Sequence, residues 1–225
     1  MKNNPILKLL LEGFEDLLKM HGNVAFIGTG FHIKVKNKKS GEVMSVIVTN
    51  KHVCKPFIAR KVPVEVNNFF GGSDQKEKLG IVAERFKVYD KADICLLGGF
   101  FQGYSDRTVL KLDTVKVAKT SENTIPGSEV FAIGYVAAKL RLVNFGKYIT
   151  SLVVREPGTR RLSRPAYKTV YHTAKTIPGM SGGVVVNSEG EVIAITTMAG
   201  YNKEGYATGI EELHDFLSEL GLEAL

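Results

Sequence analysis

The chain has 225 residues, 44% of them hydrophobic and 24% charged. That length suits one large all-β unit or two small domains sharing an interface, and the balance excludes a wholly disordered chain. The net charge is +7, but no nucleic-acid motif accompanies it, and no stretch reaches the apolar length that spans a bilayer.

Residues 5–20 are predicted as an amphipathic helix. Ile6, Leu9, Leu10, Phe14, Leu17 and Leu18 recur near helical spacing, Pro5 suits a first turn and Gly22 closes it. This arm, residues 1–22, either packs on the body or offers a face to a protein partner; periodicity alone does not separate the two. Its apolar run is broken by Lys8 and closed by Glu12, and no small-residue cleavage site follows. Cys54 and Cys95 are the only cysteines. They give no disulfide framework and no all-cysteine zinc site, so a reducing, cytoplasmic setting is expected, without metal or cofactor.

From residue 23 to 210 the pattern changes to short strands punctuated by turns such as Gly71-Gly72-Ser73-Asp74, Pro126-Gly127 and Asn187-Ser188-Glu189-Gly190. Many short strands with almost no helix between them predict an all-β fold of antiparallel barrels or a sandwich. The polar, turn-rich stretch from Thr120 to Gly127 is the expected joint between two β halves, residues 23–118 and 125–210. Basic residues gather at Lys34, Lys36, Lys38 and Lys39, and again at Arg155, Arg160, Arg161 and Arg164. Both groups read as solubilising charge, with nucleic acid an unfavoured alternative. Residues 211–225 close the chain as a helix, with Leu213, Phe216, Leu217 and Leu220 forming an apolar stripe that ends at Gly221.

One stretch carries chemistry. Gly179-Met180-Ser181-Gly182-Gly183 satisfies G-x-S-x-G, the nucleophile elbow of α/β-hydrolases. That elbow needs a helix after the serine, whereas Val184-Val185-Val186 reads as a strand. It also needs a later histidine, and the only one is His214, on the C-terminal helix. The order His, Asp, Ser fits instead: His52 where a β run ends, Asp93 at the start of another, and Ser181 last.

Five segments in this order resemble a known family. Gly28-Thr29-Gly30-Phe31 is similar to its G-S-G-F strand and Thr49-Asn50-Lys51-His52-Val53 to T-N-x-H-V. Ala92-Asp93-Ile94-Cys95-Leu96-Leu97 is similar to its aspartate strand, Pro178-Gly179-Met180-Ser181-Gly182-Gly183 to P-G-N-S-G-G, and Gly190 to Thr197 to the strand after the nucleophile. The chain resembles the trypsin/chymotrypsin-fold serine proteases, closest in flavour to the HtrA-type bacterial enzymes and their viral relatives, over roughly residues 24–210.

The resemblance implies two antiparallel β-barrels with a cleft between them and a serine endopeptidase acting on protein or peptide. It implies that His52 is the general base, that Asp93 orients it and that Ser181 is the nucleophile, with the backbone N–H groups of Gly179 and Ser181 forming an oxyanion hole. It places the Thr197 hydroxyl as support for the aspartate, Thr196, Thr197, Met198 and Ala199 on the strand that pairs with substrate, and Thr176 and Thr196 near the first specificity pocket. No acidic pocket base is implied, nor a histidine at position 196, so a small or medium uncharged residue is expected before the cleaved bond. Met180 departs from the Asp or Asn common before the nucleophile, which removes the partner of trypsin-type N-terminal activation. A protease-fold binding protein, latent until a partner orders the site, remains the alternative. His32 reads as a structural or surface-facing strand histidine, His172 as a satisfied strand histidine with the specificity pocket as the alternative, and Cys95 as core.

Overall fold

A computed structural model describes residues 14–21, 24–61, 64–68, 77–81, 86–98, 114–136, 140–155, 166–199 and 205–225. Two antiparallel β systems carry the chain. The first contains Phe14–His21 (β1), Val24–Asn37 (β2), Val43–Thr49 (β3), Val64–Asn68 (β4), Glu77–Ile81 (β5), Phe86–Val88 (β6) and Cys95–Leu97 (β7), in the order β5-β4-β1-β2-β3-β7-β6. The second contains Glu129–Val136 (β8), Leu140–Arg155 (β9), Ala166–His172 (β10), Val184–Val186 (β11), Val192–Ala199 (β12) and Gly205–Gly209 (β13). These six close into a barrel, β10-β13-β12-β11-β8-β9. The expected all-β class holds. Among the described residues the first system is a half-barrel, because β5 and β6 end the sheet without pairing with each other.

Among the described residues two helices interrupt the strands. Lys51–Arg60 (α1) follows β3 directly, an element the strand-rich reading of this region did not contain. Its N-cap, Asn50, makes no side-chain cap bond. The Asp93 carboxylate does that work from a distance, accepting the His52 N–H at 2.9 Å, so a negative group sits at the positive end of the helix. Ile210–Glu219 (α2) is the expected C-terminal helix, but it is shorter than expected. Gly221 turns the chain with φ 71°, and Leu222–Ala224 (β14) pairs with β2. The predicted helix over 211–225 therefore ends at Glu219, because a β2 edge is open to accept a further strand. Leu213, Phe216 and Leu217 of α2 are buried, each contributing about 1.5–3 kcal/mol by burial, and Phe216 stacks on Tyr89 at 4.8 Å between ring centroids.

The helix predicted over residues 5–20 is corrected at its C-terminal half. Phe14–His21 is a strand that pairs with β2 from Phe14↔Phe31 to His21↔Val24, and with β4 from Glu15↔Asn68 to Leu18↔Glu65. Two flanking strands that each supply a ladder of hydrogen bonds override the local helical period. The remainder of that helix, like the Arg-rich stretch 156–165, lies outside the described residues. The cysteines are the other correction: Cys54 and Cys95 form a disulfide, their Cα atoms 6.5 Å apart, rather than two free thiols. Both are buried, so the core placement of Cys95 agrees.

The largest buried cluster draws on both systems. Phe31, Ile33 and Val48 from the first meet Ile133, Val184 and Ile195 from the second, beneath α2. Residues 115–121 cross between the halves. Ala118 donates its N–H to Val192 O, and Ser121 and Thr120 donate to the Glu211 carboxylate at 2.7–2.8 Å. No described helix is long and apolar enough to cross a membrane.

Candidate active site

His52 occupies the first turn of α1, and Asp93 lies in the bend before β7. The pairing of β3 with β7, Thr49↔Cys95 to Ile47↔Leu97, sets these two segments side by side. Asp93 then makes two bonds to one residue: Oδ1 accepts the His52 N–H at 2.9 Å and Oδ2 lies 2.7 Å from Nδ1. The carboxylate is 7% exposed and the imidazole 49%. A sheltered anion therefore fixes a ring whose other edge faces solvent. Asn50 Nδ2 donates to the Asp93 carbonyl at 2.9 Å, and Lys51 Nζ donates to Tyr89 O and Asp90 O. Sequence reasoning did not assign these two residues to the site, although both fall within the T-N-x-H segment it singled out.

The serine loop comes from the other half. After β10 the chain turns through residues 173–183 and enters β11. Gly179 has φ 100° and Gly182 φ 85°, values that side chains with a β-carbon rarely adopt. At Gly182 a β-carbon would also stand 2.1 Å from Thr29 O and 2.2 Å from Thr49 Oγ1, so this turn presses against β2 and β3. Gly182 N–H donates to Thr196 O, and Thr196 N–H to Gly183 O. Ser181 is held against the first half, its carbonyl accepting the Thr29 N–H at 2.7 Å. Gly28 touches both sides of the cleft: a β-carbon there would meet Val53, the residue after His52, at 2.6 Å and Ser181 O at 3.4 Å.

The Ser181 hydroxyl donates to Thr197 O at 3.2 Å, and among the described residues no hydrogen bond joins it to His52. The amide N–H groups of Gly179 and Ser181 meet no described acceptor. Met180, at the position where the family pattern has Asp or Asn, is fully buried, packed with Ala132 and Ala174.

The remaining site candidates separate. Thr176, in the loop itself, and Thr196, on β12, are both buried. The Thr197 hydroxyl does not reach Asp93; it donates to Ile195 O at 3.2 Å and lies 3.0 Å from Thr208 Oγ1. Met198 and Ala199 pair with Tyr206 and Gly205 on one edge. β11 pairs with β12 only from Val192 to Ile195, so the opposite edge of residues 197–199 carries no strand among the described residues. His172, opposite Gly205, is fully buried, and burial lowers its imidazole pKa to about 4. His32 is also enclosed and lowered to about 3 for the same reason.

The model of the trypsin-like peptidase domain matches residues 28–195. Among solved structures, the active form of the Rv3671c protease from M. tuberculosis is 17% identical at a TM-score of 0.70, over 97% of this chain and 85% of the other. The inactive form of that protease gives 19% and 0.69, over 97% and 94%. Deg5 gives 17% and 0.62, over 92% and 89%. At these identities the likeness concerns the fold, and the active and inactive forms match equally well. No curated protein sequence matches the chain.

Proposed function

Because the chain belongs to the trypsin-like peptidase family, we propose that it is a serine endopeptidase that hydrolyses peptide bonds through an acyl-enzyme. The observation that carries this reading is the doubly bonded Asp93–His52 pair beside the Ser181 loop. A carboxylate on Nδ1 holds that nitrogen protonated and leaves Nε2 basic. Nε2 takes the Ser181 proton as Oγ attacks the substrate carbonyl, and the imidazolium then gives that proton to the departing amine. Water, deprotonated by the same nitrogen, attacks the acyl ester, and the imidazolium returns that proton to Ser181 Oγ as the carboxylic acid departs. The uncommitted N–H groups of Gly179 and Ser181 suit the oxyanion of both tetrahedral intermediates, where losing one donor typically lowers turnover about 100- to 1,000-fold.

Substrate backbone would add to the open edge at Thr197, Met198 and Ala199. The threonines at 176 and 196 favour a small or medium uncharged side chain before the cleaved bond. A second reading, a latent or partner-gated protein, is favoured by one observation: Ser181 Oγ is turned to Thr197 O rather than to His52. Reaction with a fluorophosphonate, read by intact mass, separates the two. A single adduct on the wild type, absent from Ser181→Ala, supports constitutive hydrolysis; no adduct on folded wild type sinks it and leaves the gated reading.

A further inference from the structure

Two amides form the proposed anion site, and one peptide unit, Gly179–Met180, lies between them. Its N–H donates to Ile177 O at 3.1 Å, closing a turn within the loop. Its C=O accepts from the Thr29 hydroxyl at 2.9 Å, across 150 residues of sequence. That hydroxyl is fully buried and its second contact is defined as well: Oγ1 accepts the Tyr135 N–H from β8 at 2.8 Å. A hydroxyl has one proton to give. With the amide of Tyr135 on a lone pair, the proton goes to Gly179 O. The same residue's backbone N–H holds Ser181 O at 2.7 Å. Thr29 therefore grips, from behind, the carbonyls of both residues whose N–H groups are uncommitted. Its own carbonyl is fixed by Thr49 Oγ1 at 2.7 Å.

We propose that Thr29 is a positioning residue for the oxyanion hole, its hydroxyl clamping the Gly179–Met180 peptide from the first β half so that the Gly179 and Ser181 N–H groups converge on one point. The proposal rests on the hydrolytic reading of Ser181. The clamp bridges β2, β8 and the serine loop, so it makes the geometry of the anion site depend on how the two halves are docked. Sub-ångström placement matters here, since a misplacement of about 1 Å can lower a rate about 100-fold. Thr29 touches no reacting atom; it acts through the peptide it holds.

The test is the rate of fluorophosphonate acylation for wild type, Thr29→Ser, Thr29→Val and Ser181→Ala, resolved into reagent affinity and maximal rate. Thr29→Val keeps the shape and removes the donor. It is expected to lower the maximal rate about 10- to 100-fold with affinity changed less than about threefold. Thr29→Ser keeps the bonded hydroxyl and is expected to restore the rate to within about threefold of wild type. If Thr29→Val melts below the assay temperature, Thr29→Cys, a weak donor of serine's size, replaces it and is expected to fall between valine and serine. Wild-type labelling with equal rates in the valine or cysteine variant overturns the clamp and leaves the hydrolytic reading standing. An equal loss in Thr29→Ser overturns it too, since a retained hydroxyl would then not suffice. A wild type that takes no label overturns the hydrolytic reading and the clamp with it.

Discussion

Two enclosed histidines make stability depend on pH in a direction the structure fixes. His32 and His172 are fully buried, and desolvation lowers their imidazole pKa values to about 3 and about 4, against about 6.5 in an unfolded chain. The folded state refuses a proton that the unfolded chain accepts. The stability these groups hold above pH 6.5 is therefore lost as pH falls toward their folded values. Between pH 8 and pH 5 each histidine lowers the unfolding free energy by about 2 kcal/mol, or about 4 kcal/mol together. For a chain of this size that is a fall in Tm of roughly 8–16 °C. The half-buried Glu212, whose carboxyl pKa is raised by burial, opposes the trend weakly, because it gains a proton more readily when folded. Calorimetry at pH 8, 7, 6 and 5 measures the slope, and His32→Leu and His172→Leu are each compared with themselves across pH so that packing changes cancel. Each substitution is expected to remove about half of the fall. A wild-type Tm that changes by less than about 3 °C from pH 8 to pH 5, or single variants that keep the full fall, would refute the reasoning.

Two further outcomes follow from contacts around His52. Asp93→Asn keeps an oxygen for the His52 N–H but turns an amide N–H₂ toward Nδ1, which forces the other tautomer; labelling of Ser181 is expected to slow about 10,000-fold while Tm moves little, and a loss under tenfold would remove Asp93 from the orienting role. Reducing the Cys54–Cys95 bridge, or replacing both cysteines by alanine, frees a closure across 41 residues, which on chain entropy is about 4 kcal/mol. The expected fall in Tm is about 8–16 °C, and a shift under about 3 °C would show that the bridge adds nothing to stability.

The order His52, Asp93, Ser181 and the glycines around the serine were legible because they are local: each is a short segment with a recognisable turn or strand edge. The contacts that tie those segments together were not. Cys54 and Cys95 each stand two residues beyond one partner of the His52–Asp93 pair, a shared offset that hints at the bridge only once that pair is known to meet. The β1 strand was misread because Leu17 and Leu18 satisfy a helical period equally well, and only β2 and β4 on either side decide between them. Thr197 was expected beside Asp93, but the register irregularity between Thr196 and Met198 leaves its hydroxyl against Thr208. A bulge of that kind has no composition signal. The clamp through Thr29 was visible only as a threonine between two glycines.

β14 has a consequence for how the molecule is made. One edge of β2 is shared by two strands remote in sequence: β1 covers it from Val24 to Phe31, and β14 takes it over from Val35 to Asn37. During synthesis β2 leaves the ribosome well before β14, the last in sequence of its described partners. Until then the first half carries an unpaired edge and lacks the α2 side chains that seal the shared core, so its final structure waits for residues 210–224 to emerge. A change in β14 thus acts on the half that holds His52 and Asp93, from which it is remote in sequence.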